Sequence, residues 1–193
     1  FAQRTTLGRW NILNELVCFD MGVMRFSELL RGEIAKNYKG YDIQIYGDPA
    51  GDFRSQTDER TPFSIMRNYG LKAVPAPSND VALRIESVDT SLQRLIDGKA
   101  GFVLDPQCIN LKKGFNGGYH YRRLQTSGDR YDEKPFKNRY SHVHDALQYL
   151  MMGAGEGRTL LSGKSRNKPT VVKKEWDVFA GQRTKKRKVW DLF

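Results

Sequence analysis

Residues 43–52 read Ile43-Gln44-Ile45-Tyr46-Gly47-Asp48-Pro49-Ala50-Gly51-Asp52, and how they are read decides the fold. A period of two sets Ile43 and Ile45 on one face and Gln44, Tyr46 and Asp48 on the other, which predicts a short strand ending on an aspartate. Pro49 then stops the ladder. In an open α/β sheet, ligands bind in the crevice beyond the carboxyl ends of the strands, so a carboxylate held there faces a site. The same ten residues equally suit an Asp-Pro turn cap. The rest of the chain has to separate the two.

Upstream, residues 1–4 have the character of a strand end, and Thr6-Leu7-Gly8-Arg9 turns the chain into a second strand over 10–17, an antiparallel hairpin. A chain that opens in mid-strand is expected to be a fragment. Residues 23–38 place Val23, Phe26, Leu30 and Ile34 on one stripe, which predicts an amphipathic helix stopped by Gly40. Downstream of a polar loop over 51–60, Thr61 and Pro62 start a short helix over 63–69, closed by Gly70. A strand over 71–74 follows. Asn79 or Asp80 caps a helix over 81–96 whose Leu83, Val88, Leu92, Leu95 and Ile96 face inward. Residues 102–104 form an apolar strand and 119–124 another. Ser141 caps a last helix over 143–152, closed by Gly153.

This order predicts an α/β fold with an antiparallel start and a parallel continuation, the wiring of a ribonuclease H-like mixed sheet flanked by helices. That fold gathers carboxylates from the first strand, a central parallel strand and a late helix around two divalent metals. Asp145 fits the late helix: Val143, Ala146, Leu147 and Leu150 make its apolar stripe, and Asp145 lies on the opposite side, in the first turns where the helix dipole favours an anion. An aspartate near a helix start is also an ordinary structural feature. Asp52, Asp105 and Asp132 suit turn or loop positions better than metal ligation, and Glu15 suits a surface or edge charge.

Composition points to a polyanion. Over the 193 residues the net charge is +10, and the stretch 163–193 holds ten Lys/Arg against three acids, so about +7 of that charge lies there. A mildly basic body over 1–160 and a basic, flexible tail over 161–193, with Trp176, Phe179, Trp190 and Phe193 spaced among the charges, fit nucleic acid before membrane. No apolar run of membrane-spanning length and no charged-then-apolar leader occurs. Cys18 and Cys108 lie far apart outside any zinc pattern and suit a reducing compartment.

Tyr46-Gly47-Asp48-Pro49-Ala50-Gly51 together with Tyr140-Ser141-His142-Val143-His144-Asp145-Ala146-Leu147-Gln148-Tyr149 resemble the nuclease half of the large terminase subunit of tailed bacteriophages. The resemblance runs over about 1–153, including the strand over 10–17 and the helix start over 21–30. It implies a ribonuclease H-like endonuclease domain that cuts concatemeric double-stranded DNA with two Mg²⁺ or Mn²⁺ ions in the host cell cytoplasm. In that family it follows an ATPase half and works with a small terminase subunit and a portal. Asp48 matches the central-strand metal ligand and Asp145 the late-helix one; the first-strand aspartate is expected just upstream of Phe1. No GxxxxGK[ST] occurs, and the Gly-rich 114–118 lacks the phosphate-gripping Lys-Ser/Thr pair.

Hard carboxylate oxygens on separate elements suit two such cations, which would activate water and stabilise the leaving 3′ oxygen. With Asp48 and Asp145 alone, metal affinity is expected to be weak. His142 and His144 bracket the site as auxiliary proton carriers or phosphate contacts, or as plain helix-start histidines. Lys112, Lys113, Arg122, Arg123, Lys134, Lys137 and Arg139 are the expected backbone contacts to DNA, where sequence-tolerant, salt-dependent binding is required. A non-catalytic DNA-binding or portal-docking module is the competing expectation.

Overall fold

The computed structural model describes residues 1–52, 60–124 and 130–157. The expected basic tail and most of the polar loop over 51–60 lie outside them. The described residues form a mixed α/β unit: β1 (Ala2–Arg4), β2 (Trp10–Ile12), α1 (Val23–Asn37), β3 (Ile45–Gly47), α2 (Pro62–Asn68), β4 (Ala73–Pro75) and α3 (Val81–Gln93) come first. They are followed by β5 (Leu95–Ile96), β6 (Lys99–Ala100), β7 (Phe102–Leu104), α4 (Ile109–Lys113), β8 (Tyr121–Arg123), β9 (Tyr131–Pro135) and α5 (Ser141–Gly153).

Both strand directions foreseen from the element order are present. β1 runs antiparallel to β2 with Gln3 opposite Asn11, β2 runs parallel to β7, and β3 runs parallel to β4 with Tyr46 opposite Val74. The period of two in residues 43–48 also holds. Ile45 joins the cluster of Leu30, Phe63, Met66, Leu71 and Ala73 under α1 and α2, whereas Tyr46 lies against Gly153 of α5 on the other side. A side chain at Gly153 would overlap the Tyr46 ring, so glycine is what lets the end of α5 rest on β3. The sheet of β1, β2 and β7 packs on other helices: Trp10, Ile12 and Phe102 lie with Val88 of α3, Leu111 of α4, and Leu147 and Met151 of α5. Helix α5 is therefore common to both sets of strands, meeting β3 at Gly153 and the other sheet through Leu147 and Met151.

Capping follows the residue chemistry. Thr61 accepts the Ser64 amide at 3.1 Å, and Asp80 rather than Asn79 accepts the Leu83 amide at 2.9 Å. Ser141 is not the cap of α5. The N-cap position is Tyr140, which makes no side-chain cap bond, and Asn138 just ahead of it takes up the first amides: its Oδ1 accepts from Tyr140 at 2.8 Å and Ser141 at 3.1 Å, while the Ser141 hydroxyl donates back to the Asn138 carbonyl.

Three expectations need correction. The helix over 81–96 stops at Gln93, because Asp97 and Gly98 both take positive φ and turn β5 back onto β6. An Asp-Gly pair is the residue chemistry of a two-residue hairpin turn, and it outcompetes continuation of the helix. As a result Leu95 is 68% exposed and Leu92 faces outward; the buried face of α3 is Arg84, Ser87, Val88 and Ser91. The apolar stripe assigned to α5 is also rotated: Ala146 is exposed, and His144 takes a core position in line with Ser141, Leu147 and Met151. Glu15 is not a surface charge. Its carboxylate accepts the amides of Asn110 at 2.6 Å and Leu111 at 2.9 Å, serving the open N-terminus of α4.

Glu156 closes the fold behind the strands. It is 4% exposed and accepts from Trp10 Nε1 at 3.0 Å and from both terminal nitrogens of Arg94 at 3.1 and 2.7 Å, with Arg4 at 3.4 Å. Burial pushes its pKa up, but the hydrogen bonds from Arg94 and Trp10 and the charges of Arg94 and Arg4 outweigh it and hold the carboxyl below its ordinary range. Glu156→Gln is expected to cost about 2–3 kcal/mol at neutral pH, since it leaves two guanidinium groups facing a neutral amide. Because the folded-state value is depressed, this stabilisation is present above the unfolded value of 4.5 and is lost as pH falls through the folded value. Urea unfolding of wild type and variant should therefore differ at pH 7 and converge below pH 4.5.

Candidate functional site

Asp145 lies on the second turn of α5, close to the start of the helix, with its side chain half-buried, and both of its oxygens are held by cations. Arg84 reaches across from α3, with Nη1 3.3 Å from Oδ1, and Lys137, on the connection between β9 and α5, contacts Oδ2 through Nζ. The two partners differ in kind: the Arg84 side chain is 6% exposed and that of Lys137 is 66% exposed. Arg84 also lies over the ring of Tyr149 at 4.4 Å, and its Nε is buried without a hydrogen-bond partner.

Tyr149 stands one turn beyond Asp145 on the same helix. Its hydroxyl donates to Asn79 Oδ1 at 2.5 Å, and the Asp48 carboxylate stands near enough to act on its pKa. Burial, first, and then the Asp48 carboxylate push the phenol far above its ordinary pKa, against the opposing pull of Arg84. It is a neutral donor at physiological pH. Asp48 meanwhile closes the turn after β3, its Oδ1 accepting the Ala50 amide at 2.9 Å and its carbonyl accepting the Gly51 amide at 2.9 Å. The turn-cap reading of residues 43–52 describes this side chain, which is exposed just past the end of β3.

His144 is a core residue, not a proton carrier at the surface. It is 3% exposed, stacks on Tyr119 with centroids 4.9 Å apart, meets Phe115 edge-on, and places Nε2 3.2 Å from the Leu111 carbonyl. Burial lowers its pKa despite the Leu111 carbonyl and the charges of Asp145 and Glu15, so the ring is neutral and Nε2–H donates. A side chain at Gly114 would overlap this ring, which is why the turn over 114–118 is glycine there. His142 is exposed on the outer side of α5, and Asp52 is exposed at the end of the short 3₁₀ turn Pro49–Asp52. Asp105 serves a turn, its Oδ1 accepting the Gln107 amide at 3.0 Å. Among the described residues no three His, Cys, Asp or Glu side chains form a group suited to a metal.

The expected basic contacts fall on one continuous region and one outlier. Strands β8 and β9 pair as an exposed hairpin, and a groove of about 830 Å³ at its side is lined by Arg122, Arg130, Lys134 and Lys137 together with the carboxylates of Asp132 and Glu133. Arg122 lies over the Phe136 ring at 4.2 Å, and Arg139 lies 5.5 Å from the Tyr140 ring. Arg123 is on the same hairpin, whereas Lys112 and Lys113 are exposed at the end of α4. Lys137 belongs both to the groove and to the Asp145 pair, which makes the basic surface and the acidic site contiguous.

Compared with protein-family profiles, with curated proteins and with solved structures, the chain finds no match. Reasoning from the sequence missed Arg84, Asn79 and Tyr149. A charged residue on the inward stripe of α3, four residues before Val88, was a usable sign for Arg84, and the i, i+4 spacing from Asp145 was one for Tyr149.

The state of His144 carries a pH signature. Its folded-state value lies below the unfolded 6.5, so the unfolded chain takes up a proton that the native ring refuses, and stability falls as pH drops below 6.5. The slope approaches about 1.4 kcal/mol per pH unit for one such group. Denaturant midpoints measured between pH 7.5 and 5 should fall for the wild type and flatten in this window for His144→Phe.

Proposed function

We propose that this chain is a metal-dependent endonuclease domain with a ribonuclease H-like fold, of the kind found in the large terminase subunit of tailed bacteriophages. Its substrate on this reading is double-stranded DNA, cut during packaging in the host cell cytoplasm. An ATPase half, a small terminase subunit and a portal are its proposed partners. The observation that carries the reading is that the charges of both Asp48 and Asp145 act on Tyr149, next to a groove lined by Arg122, Arg130, Lys134 and Lys137 together with Asp132 and Glu133. The mixed α/β architecture, with Asp48 just past a parallel strand and Asp145 on the last described helix, is consistent with it. Among the described residues no helix is long and apolar enough to cross a membrane.

The donor set suits a hard divalent cation: two carboxylates, with the Lys137 ammonium standing at Asp145 Oδ2 where such a cation would be held. Mg²⁺ or Mn²⁺ ions on Asp48 and Asp145 would supply water activation and charge stabilisation on the scissile phosphate. The chain's own residues do the rest. Arg84 fixes the rotamer of Asp145, and the Ala50 amide holds the Asp48 carboxylate in the turn after β3. Arg122, Arg123, Arg130, Lys134 and Arg139 bind phosphates without reading bases. The exposed Tyr121 and Tyr131 rings on the hairpin offer apolar contact to the sugar-phosphate edge.

One observation favours a second reading. Asp145 is already neutralised by two cations, the arrangement of a structural ion pair, and a DNA-binding or portal-docking module would need the basic hairpin alone. Supercoiled plasmid incubated with the protein and Mn²⁺, Mg²⁺ or chelator separates them. Cleavage that requires metal and falls by about 10²-fold or more in Asp48→Ala and Asp145→Ala is the expected result. Retardation of the plasmid with no cut under any metal condition would replace the nuclease by the binding module.

A further inference from the structure

Two cations share one carboxylate in this site, and only one of them is built in. Arg84 is held by burial between α3 and α5, by the Tyr149 ring beneath its guanidinium, and by Asp145 Oδ1. Lys137 has none of this. Its side chain is two-thirds exposed, and Asp145 Oδ2 is the partner the structure shows for it. Immediately after it the backbone is pinned, because Asn138 Nδ2 donates to the Gly118 carbonyl at 2.7 Å while Asn138 Oδ1 accepts the Tyr140 amide at the start of α5. A change of partner by Lys137 thus requires rotation of a flexible four-carbon stem and no movement of the chain. The alternative partner is at hand, since Lys137 also lines the groove, where it, Arg122, Arg130 and Lys134 outweigh Asp132 and Glu133 and an incoming polyanion would lie.

We propose that Lys137 is an exchangeable counter-ion of the site: its ammonium occupies Asp145 Oδ2 in the absence of a divalent cation, yields that oxygen to one, and turns to a phosphate in the groove. The inference rests on the nuclease reading and assigns a coupling role within it. Lys137 is a positioning residue, and Arg84 stays in place throughout. Metal and DNA then bind cooperatively, because each takes one end of the same exchange, and the coupling is the same whichever binds first. An ion pair this exposed is weak enough to be displaced, so the penalty it places on metal binding is modest, about fivefold in affinity.

The test uses the whole chain and reads binding rather than cleavage. Free Mn²⁺ is counted by electron paramagnetic resonance during titration of wild type, Lys137→Met, Lys134→Met and the double variant Lys137→Met/Asp145→Asn. Lys134→Met removes the same charge from the same groove without touching Asp145, and so controls for the general field. Lys137→Met should bind Mn²⁺ about fivefold tighter than wild type, Lys134→Met should stay within about twofold, and the double variant should lose the gain. In a second arm, anisotropy of a labelled duplex at constant ionic strength should show Ca²⁺, another hard oxygen-seeking cation, strengthening DNA binding in wild type and not in Lys137→Met. Equal gains in Lys137→Met and Lys134→Met, or Ca²⁺ strengthening DNA binding equally in both proteins, would overturn the exchange while leaving the metal site standing. Absence of Mn²⁺ binding in both wild type and Lys137→Met would overturn the exchange and the nuclease reading together.

Discussion

Arg84 sits almost wholly out of water where α3 packs on α5, and a guanidinium in that position needs an anion within reach or it costs several kcal/mol. Asp145 supplies the charge and Tyr149 the aromatic face. The helices can approach this closely because the other inward positions of α3 are small: Ser87 and Ser91 are fully buried and turn their hydroxyls back onto the helix carbonyls of Arg84 and Ser87. One buried charge thereby ties α3 to α5, the helix that touches both groups of strands. The residue of greatest chemical interest, Asp145, is for the same reason part of the core's polar framework.

That double duty extends to Asp48. Its Oδ1 holds the turn after β3 through the Ala50 amide, and its charge also acts on Tyr149. A carboxylate offers about four lone-pair directions, so a structural bond does not exhaust it. The contest between a turn cap and a site residue is consequently not a contest at the level of atoms. Each aspartate is fixed by a bond the fold needs, which is what gives a ligand a preorganised oxygen to find.

The parts of this arrangement that were legible in the sequence are those with a local cause. The alternation in residues 43–48, the Thr61-Pro62 start of α2, the Asp80 cap and the α1 stripe of Val23, Phe26, Leu30 and Ile34 are read from neighbours a turn away, and the structure has each of them. Where the reading failed, a non-local partner or a competing turn decided. His144 reads as a polar helix-start residue until Phe115, Tyr119 and the Leu111 carbonyl arrive from some thirty residues upstream to bury it. Glu15 reads as an edge charge until α4 presents its open amides, at a separation of 95 residues. The Asp97-Gly98 turn was local and visible; Leu95 and Ile96 just before it drew the helix too far.

The electrostatics of the site follow from the same asymmetry between buried and exposed partners. An ion pair sunk in the interior resists both solvent and salt, whereas one at the surface is screened within about 10 Å at ordinary ionic strength. Arg84 and Lys137 place one pair of each kind on a single carboxylate. The inner pair fixes where Asp145 stands, and the outer pair leaves what it binds open to exchange with the surroundings. Because the outer cation is also one wall of the basic groove, any change in the charge held by Asp145 is felt at the surface where a polyanion would lie. A buried arginine alone would make Asp145 a structural residue, and an exposed lysine alone would leave it unplaced; the two together give a carboxylate that is both positioned and addressable.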